Sequence, residues 1–256
     1  MHSWDAGQYL RFAEERTRPA LDLLARIDVV APQRVVDLGC GPGNSTALLR
    51  ERWPDAVLEG LDSSQDMLAA ARRDHPGSVF MAGDITTWQP AEPYDVVFSN
   101  AALQWVGDHA GLLPRLVAAV RQGGVLAVQM PRNFGAKSHT SITETALAGP
   151  WRATLEPLLR PSPVAEPAVY YDLLAPRAAS LDIWETEYLQ VLDGVNPVKE
   201  WTKGTWLSPL LAALDEPERS NFEAAYGARV ASFYPPRRDG KTLFPFRRMF
   251  LIAASA

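Results

Sequence analysis

The 256-residue chain predicts an α/β fold: an open, mostly parallel sheet of seven strands with helices on both faces and a helical cap inserted among the late strands. Three observations carry the prediction. Between residues 34 and 131, short apolar runs rich in β-branched residues alternate with amphipathic stretches, the alternation that builds βαβ units. The first run, Val35-Val36-Asp37-Leu38, opens into glycines at positions 39, 41 and 43, where a strand must turn sharply and let its backbone approach a ligand. The second run ends in an acid, Asp62, 23 residues beyond Gly39.

Composition sets the bounds. Hydrophobic residues make up 47% of the chain, enough for a full core, and the net charge is −5. An acidic balance argues against unspecific polyanion binding, so no nucleic-acid partner is expected. No long apolar run and no basic-plus-apolar leader is present, so neither membrane insertion nor secretion is expected. The expectation is a cytoplasmic protein, a monomer or weak homodimer. Cys40 is the single cysteine, which leaves no intrachain disulfide and no multi-cysteine metal cluster. The histidines at 2, 75, 109 and 139 lack ligand spacing, so no metal site is predicted.

Taken in order, Asp5 can cap a first helix carrying Tyr9 and Phe12 on one side. Pro19 suits the first turn of a second helix, Ala20 to Ile27, with Leu23, Leu24 and Ile27 apolar. Residues 1–30 therefore read as an N-terminal helical lid, although docking on the core alone also explains the aromatics. After the glycine loop, Asn44 and Ser45 are good N-caps for a helix over 46–53. Strands follow at 56–62, 78–82 and 94–100. Leu112 to Val120 reads as a helix ended by Gly123-Gly124, ahead of a fifth strand at 125–130. From Pro131 the pattern breaks into proline-punctuated helical stretches. A strand returns at 184–192, helices run from 196 to 234, and a last strand closes the chain from 246 to 253. The parts are a ligand-binding core (31–131), a helical substrate cap (132–235, with one core strand near 184–192) and a terminal strand behind a basic loop (236–256), in one compact domain.

The glycine spacing narrows the ligand. Gly-x-Gly-x-Gly differs from the Gly-x-Gly-x-x-Gly of dinucleotide sites, which argues against a nucleotide-dependent oxidoreductase. An acid inside the loop sits badly beside phosphate and suits a ligand with an ammonium group. Asp62 lies close to the spacing at which an acid holds a ribose diol, although Ser63, Ser64 and Asp66 leave a plain helix cap open. Met67 is in register to pack on a base, or to serve as core. Asp84, just past a strand end, can accept a base's amino group while Ile85 covers the ring. Asn100 and Trp105 open onto the edge where two ligands would meet. Arg237, Arg238, Lys241, Arg247 and Arg248 form a basic cluster that reads equally as a solvated loop or as an anion site.

The run from Asp37 to Gly43 resembles the first motif of class I methyltransferases. That resemblance implies S-adenosyl-L-methionine as cofactor, with S-adenosyl-L-homocysteine as product. It implies a pocket for the methionyl end lined by Asp37, Gly39, Cys40, Gly41 and Gly43, with Asp62, Ser63, Met67, Asp84, Ile85, Asn100 and Trp105 completing the cofactor site. The chain as a whole resembles the trans-aconitate methyltransferases. The segments that carry this are Trp4-Asp5, Gln8 to Phe12, Glu15 to Pro19, Ser99 to Trp105, Val128 to Pro131, Glu200 to Thr205, Tyr234-Pro235-Pro236, Asp239 to Leu243 and Phe246 to Phe250. The implied reaction is methyl transfer to one carboxylate of a small planar tricarboxylate. Tyr9, Arg18, Arg132, Lys203, Arg247 and Arg248 are the candidate substrate residues. A carboxylate with a pKa near 4 is ionised at neutral pH, so no general base is required and no catalytic side chain is assigned. The alternatives are another small polycarboxylate, a carrier-linked acyl carboxylate, or a non-catalytic cofactor-binding module.

Overall fold

The computed structural model describes residues 13–255; Tyr9, Phe12 and Asp5, the expected helix cap, lie outside the described residues. Helix α1 is Ala13–Ala25. Strand β1 (Arg34–Leu38) leads to α2 (Asn44–Arg52), then β2 (Val57–Asp62), α3 (Gln65–Asp74), β3 (Val79–Ala82) and β4 (Tyr94–Asn100). After a 3₁₀ turn at Leu103–Trp105 come α4 (His109–Ala118) and β5 (Val120–Pro131). The later elements are α5 (Lys137–Ala148), α6 (Arg152–Leu155), α7 (Pro167–Leu174), β6 (Ala178–Leu192), α8 (Pro197–Lys203), α9 (Ser208–Ala212), α10 (Glu218–Phe233) and β7 (Thr242–Ser255).

The seven strands lie in the order β3-β2-β1-β4-β5-β7-β6. Pairings from β3 through β5 are parallel, and β7 runs antiparallel to β5. The chain winds outward from β1 to β3, then returns to the other side of β1 as β4. That reversal creates a switch point between β1 and β4, outside whose carboxyl ends open α/β sheets bind ligands. Burial follows the pairing: Val35, Val36, Leu38, Val96 and Val97 are fully enclosed, as expected of central parallel strands covered on both faces.

The chain divides into two compact units. One comprises Glu14–Pro131, Pro163–Thr186 and the segment from Arg248 onward; the other comprises Arg132–Ser162 and Glu187–Arg247. Residues 163–186, read from the sequence as cap, therefore group with the central strands. The second unit has its own core, in which Trp151 packs edge-on to Phe222, and Trp201 to Phe244.

Several boundaries differ from the sequence reading. Pro19 lies inside a continuous α1 and does not start a new helix; Leu23, Leu24 and Ile27 are nevertheless buried as expected. Helix α2 starts at Asn44, with Gly43 as N-cap at φ 94° and no side-chain cap. Gly123-Gly124 fall within β5 and do not end a helix: the pairing with β4 jumps from Tyr94↔Val120 to Val96↔Val125, a bulge that accommodates them. A Cβ on Gly124 would stand 2.5 Å from the Asp95 carbonyl oxygen, so this tight passage favours glycine. Strands β6 and β7 each begin earlier than expected, at Ala178 and Thr242. Pro245 lies inside β7, which pairs with β5 only from Arg248 onward, so its missing N–H breaks no bond to β5.

Candidate functional site

The glycine loop leaves β1 at the switch point. Gly39 has φ 74°, and a Cβ there would stand 2.2 Å from the Ala102 Cβ at the end of β4; the two strand ends meet through this missing side chain. Gly41 also has positive φ, and a Cβ on it meets nothing within 4 Å, so its backbone faces open space. The loop is pinned from below, where Gly39 and Cys40 donate to the Leu61 carbonyl at 2.7 and 3.1 Å. Cys40 contributes backbone only. Its side chain packs with Leu68, Ala71 and Phe80, and burial pushes the thiol well above its ordinary range, so it cannot act as a thiolate.

Asp37 is fully buried. Its Oδ2 accepts from the hydroxyls of Ser45 and Thr46, both at 2.7 Å, while Oδ1 has no hydrogen-bond partner among the described residues. Burial raises its pKa to about 6, against the lowering by the two hydroxyls and with a further raising contribution from Asp62. The sequence reading misses Ser45, read as a cap, and Thr46, read as plain helix: they sit in the first turn of α2 and turn back to the acid. A hydroxyl pair eight and nine residues after the acid, at the mouth of a helix, is the available signal.

The raised pKa has a consequence for stability. Between about pH 4 and 6 the folded chain holds a proton at Asp37 that the unfolded chain releases, so stability falls as pH rises through that window and stays lower above it. The full effect is about 3 kcal/mol, two pKa units at 1.36 kcal/mol each. Asp37→Asn, which cannot ionise, is expected to remove this part of the slope. Urea unfolding of both proteins from pH 4 to 7 tests it, and equal slopes contradict it.

Asp62 closes the next side. Its Oδ2 accepts from the Gly41 N–H at 2.9 Å and its Oδ1 from the Ser64 N–H at 2.8 Å. One acid therefore bridges the β1 and β2 loops, and each oxygen retains a further lone pair. The cap of α3 is Ser64, whose hydroxyl accepts from Met67 N; Ser63 is exposed, and Met67 is largely buried. After β3, Asp84 Oδ1 accepts from the Thr86 N–H and hydroxyl at 2.8 and 2.7 Å, which hold its carboxyl below the usual range. Ile85 lies against the Gly39 position and is largely buried. At the end of β4, Asn100 has its buried Oδ1 without a hydrogen-bond partner among the described residues, and Trp105 is 40% exposed. Parallel topology thus delivers every sequence-predicted cofactor residue to the carboxyl edge of β1 through β4.

The candidate substrate residues are more scattered. Arg18 is exposed on α1. Arg132 and Arg247 are neighbours, the Arg132 N–H donating to the Arg247 carbonyl at 2.9 Å. Lys203 lies 2.8 Å from Glu223, which Lys199 also contacts at 2.8 Å. Arg248 is buried and donates to Gln129 Oε1 at 3.3 Å. Arg237 and Arg238 are exposed on a tight turn closed by Arg237 N–H to the Lys241 carbonyl, so the basic cluster splits between a solvated turn and a strand on which Arg247 is exposed and Arg248 buried. Among the histidines, His109 bonds the Tyr170 hydroxyl at 2.7 Å, and burial takes His139 down to about 4. Among the described residues no group of three or more His, Cys, Asp or Glu could hold a metal ion, and no helix is long and apolar enough to cross a membrane.

A family model described as a methyltransferase domain matches residues 35–124. A curated trans-aconitate 2-methyltransferase from Azoarcus sp. is 52% identical over 99% of both chains. Another from Rhodopseudomonas palustris is 50% identical, again over 99% of both. Among solved structures, Haemonchus contortus phosphoethanolamine N-methyltransferase 2, in complex with S-adenosyl-L-methionine, superposes with TM-score 0.55 at 17% identity, covering 93% of this chain and 53% of that one. At that identity the likeness concerns the fold.

Proposed function

This chain belongs to the trans-aconitate 2-methyltransferase family, and on that premise we propose that it methylates one carboxylate of trans-aconitate, using S-adenosyl-L-methionine. The observation that carries the proposal is the extent of the identity: about half of all positions over 99% of both chains, including residues 132–247, where substrate selection is expected.

The residues of the carboxyl edge suit this cofactor. Asp37 offers a buried acceptor, Oδ1, held in place by Ser45 and Thr46 and suited to an ammonium group. Asp62, fixed by two backbone N–H groups, suits a ribose diol. Asp84 suits an exocyclic amino group, with Ile85 and Met67 providing apolar cover. When bound, S-adenosyl-L-methionine supplies an electrophilic methyl group on a sulfonium sulfur. The acceptor carboxylate is already ionised at neutral pH, so the chain needs no base and acts by positioning, which can lower a barrier by about 7–11 kcal/mol. For the substrate, the candidates are Tyr9, Arg18, Arg132, Lys203, Arg247 and Arg248. The arginines are favoured by chemistry, since their planar forks match carboxylates in pairs.

An acceptor panel tests the substrate. With trans-aconitate, cis-aconitate, citrate, a linear dicarboxylate and an acyl-carrier carboxylate, kcat/KM is expected to be highest for trans-aconitate by at least tenfold. A higher value for any other acceptor overturns the assignment.

A further inference from the structure

Four polar side chains line up across the sheet at its ligand edge. Register pairs Asp37 with Phe98, Asn100 with Gln129, Gln129 with Phe250 and Pro131 with Arg248. Because side chains alternate along each strand, Asp37, Asn100, Gln129 and Arg248 share one face on the adjacent strands β1, β4, β5 and β7. The row runs from an acid through two carboxamides to a guanidinium. Gln129 is fully buried and Arg248 is 4% exposed.

The carboxamide of Gln129 has a defined direction. A guanidinium only donates, so the Gln129 end 3.3 Å from Arg248 Nη1 must be the oxygen. That leaves Nε2 as a donor, and it is buried without a hydrogen-bond partner among the described residues, as is Asn100 Oδ1 one strand away. Buried polar atoms are almost always satisfied. The unsatisfied donor is Gln129 Nε2, and with a guanidinium beside it an anionic acceptor fits it better than a neutral one.

We infer that Arg248 and Gln129 form the subsite that holds a carboxylate of the acceptor other than the one methylated. This rests on the function proposed above. A carboxylate there would take one hydrogen bond from the guanidinium and one from Gln129 Nε2. Gln129 is a specificity-determining residue that neither its sequence context nor the basic cluster suggested. The cofactor also carries a carboxylate, but Asp37, the acid suited to the ammonium group beside that carboxylate, stands on β1. Strands lie about 4.8 Å apart, so β7 is about 14 Å from β1, which favours the acceptor as the source.

Arg248→Met, Arg248→Lys and Gln129→Leu in the full chain test the subsite. Expected results are a rise in KM for trans-aconitate of at least 30-fold for Arg248→Met and about tenfold for Gln129→Leu, with the Kd for S-adenosylhomocysteine changed less than twofold. Arg248→Lys keeps the charge, guards against misfolding, and should fall between them. In parallel, trans-aconitate should raise the Tm of the S-adenosylhomocysteine-loaded wild type and leave loaded Arg248→Met unchanged. Weakened S-adenosylhomocysteine binding with unchanged KM would assign the carboxylate to the cofactor and overturn the inference. Unchanged values of both would reduce Arg248 to a structural role and overturn it equally. If wild type neither methylates nor is stabilised by trans-aconitate, the proposed function fails separately. The Tm shifts with citrate and tricarballylate then decide the subsite: stabilisation lost in Arg248→Met supports it, and stabilisation retained or absent in both proteins overturns it.

Discussion

Asp62→Ala is expected to weaken S-adenosylhomocysteine binding about 100-fold. The acid does two jobs with the same two oxygens. It ties the Gly41 and Ser64 N–H groups together, and it presents its remaining lone pairs at the ligand edge. Hydrogen bonds to a charged group contribute roughly 1.5–3 kcal/mol each, and about 2.7 kcal/mol already corresponds to 100-fold. Alanine removes the acceptor and frees both loops. Asp62→Asn keeps the shape, but its amide nitrogen faces one of the two N–H donors, so a loss of about tenfold is expected. Calorimetric titration measures both. The KM for trans-aconitate at saturating cofactor should move less than threefold, because the described bonds of Asp62 go to the Gly41 and Ser64 N–H groups and to no substrate candidate. Unchanged cofactor affinity in Asp62→Ala contradicts the assignment.

Gly39→Val is expected to be more severe, abolishing measurable cofactor binding and lowering stability by about 3 kcal/mol. Two penalties combine there. A β-branched residue at φ 74° is strained by roughly 1–2 kcal/mol, and the added Cβ would lie 2.2 Å from the Ala102 Cβ, an overpacking worth about 1–3 kcal/mol. The second penalty is separable. In Gly39→Ala, the additional change Ala102→Gly removes the facing methyl and should recover part of the lost stability, while the backbone strain remains. Urea unfolding of the two single variants and the double variant gives the coupling directly. Strict additivity would mean that the loop does not pack against the end of β4.

The parts of the site that are legible in the sequence are those where backbone demands coincide with chemistry. Gly39, Gly41, Asp37 and Asp62 follow from strand periodicity and spacing, and β4 matches its expected span to the residue. The misses have a common cause. Local propensity misleads at Ser45, Gly123 and Gly124, whose roles come from neighbours on other elements. Ser45 serves a strand eight residues back instead of capping its helix, because Gly43 already supplies the left-handed turn, and the helical Thr46 joins it on the same carboxylate oxygen. The glycine pair occupies a bulge that only the β4–β5 pairing defines. Gln129 is invisible for a simpler reason: within Val125-Leu126-Ala127-Val128-Gln129-Met130 it reads as one polar interruption of a buried strand, and only register places it between Asn100 and Arg248.

The most direct measurement incubates the purified chain with S-adenosyl-L-methionine and trans-aconitate and follows both products by mass spectrometry. S-adenosylhomocysteine and a trans-aconitate monomethyl ester should appear in equal amounts, at a rate that Asp62→Ala lowers. Cofactor binding without ester formation, or ester formation on a different acid alone, would contradict the proposed function.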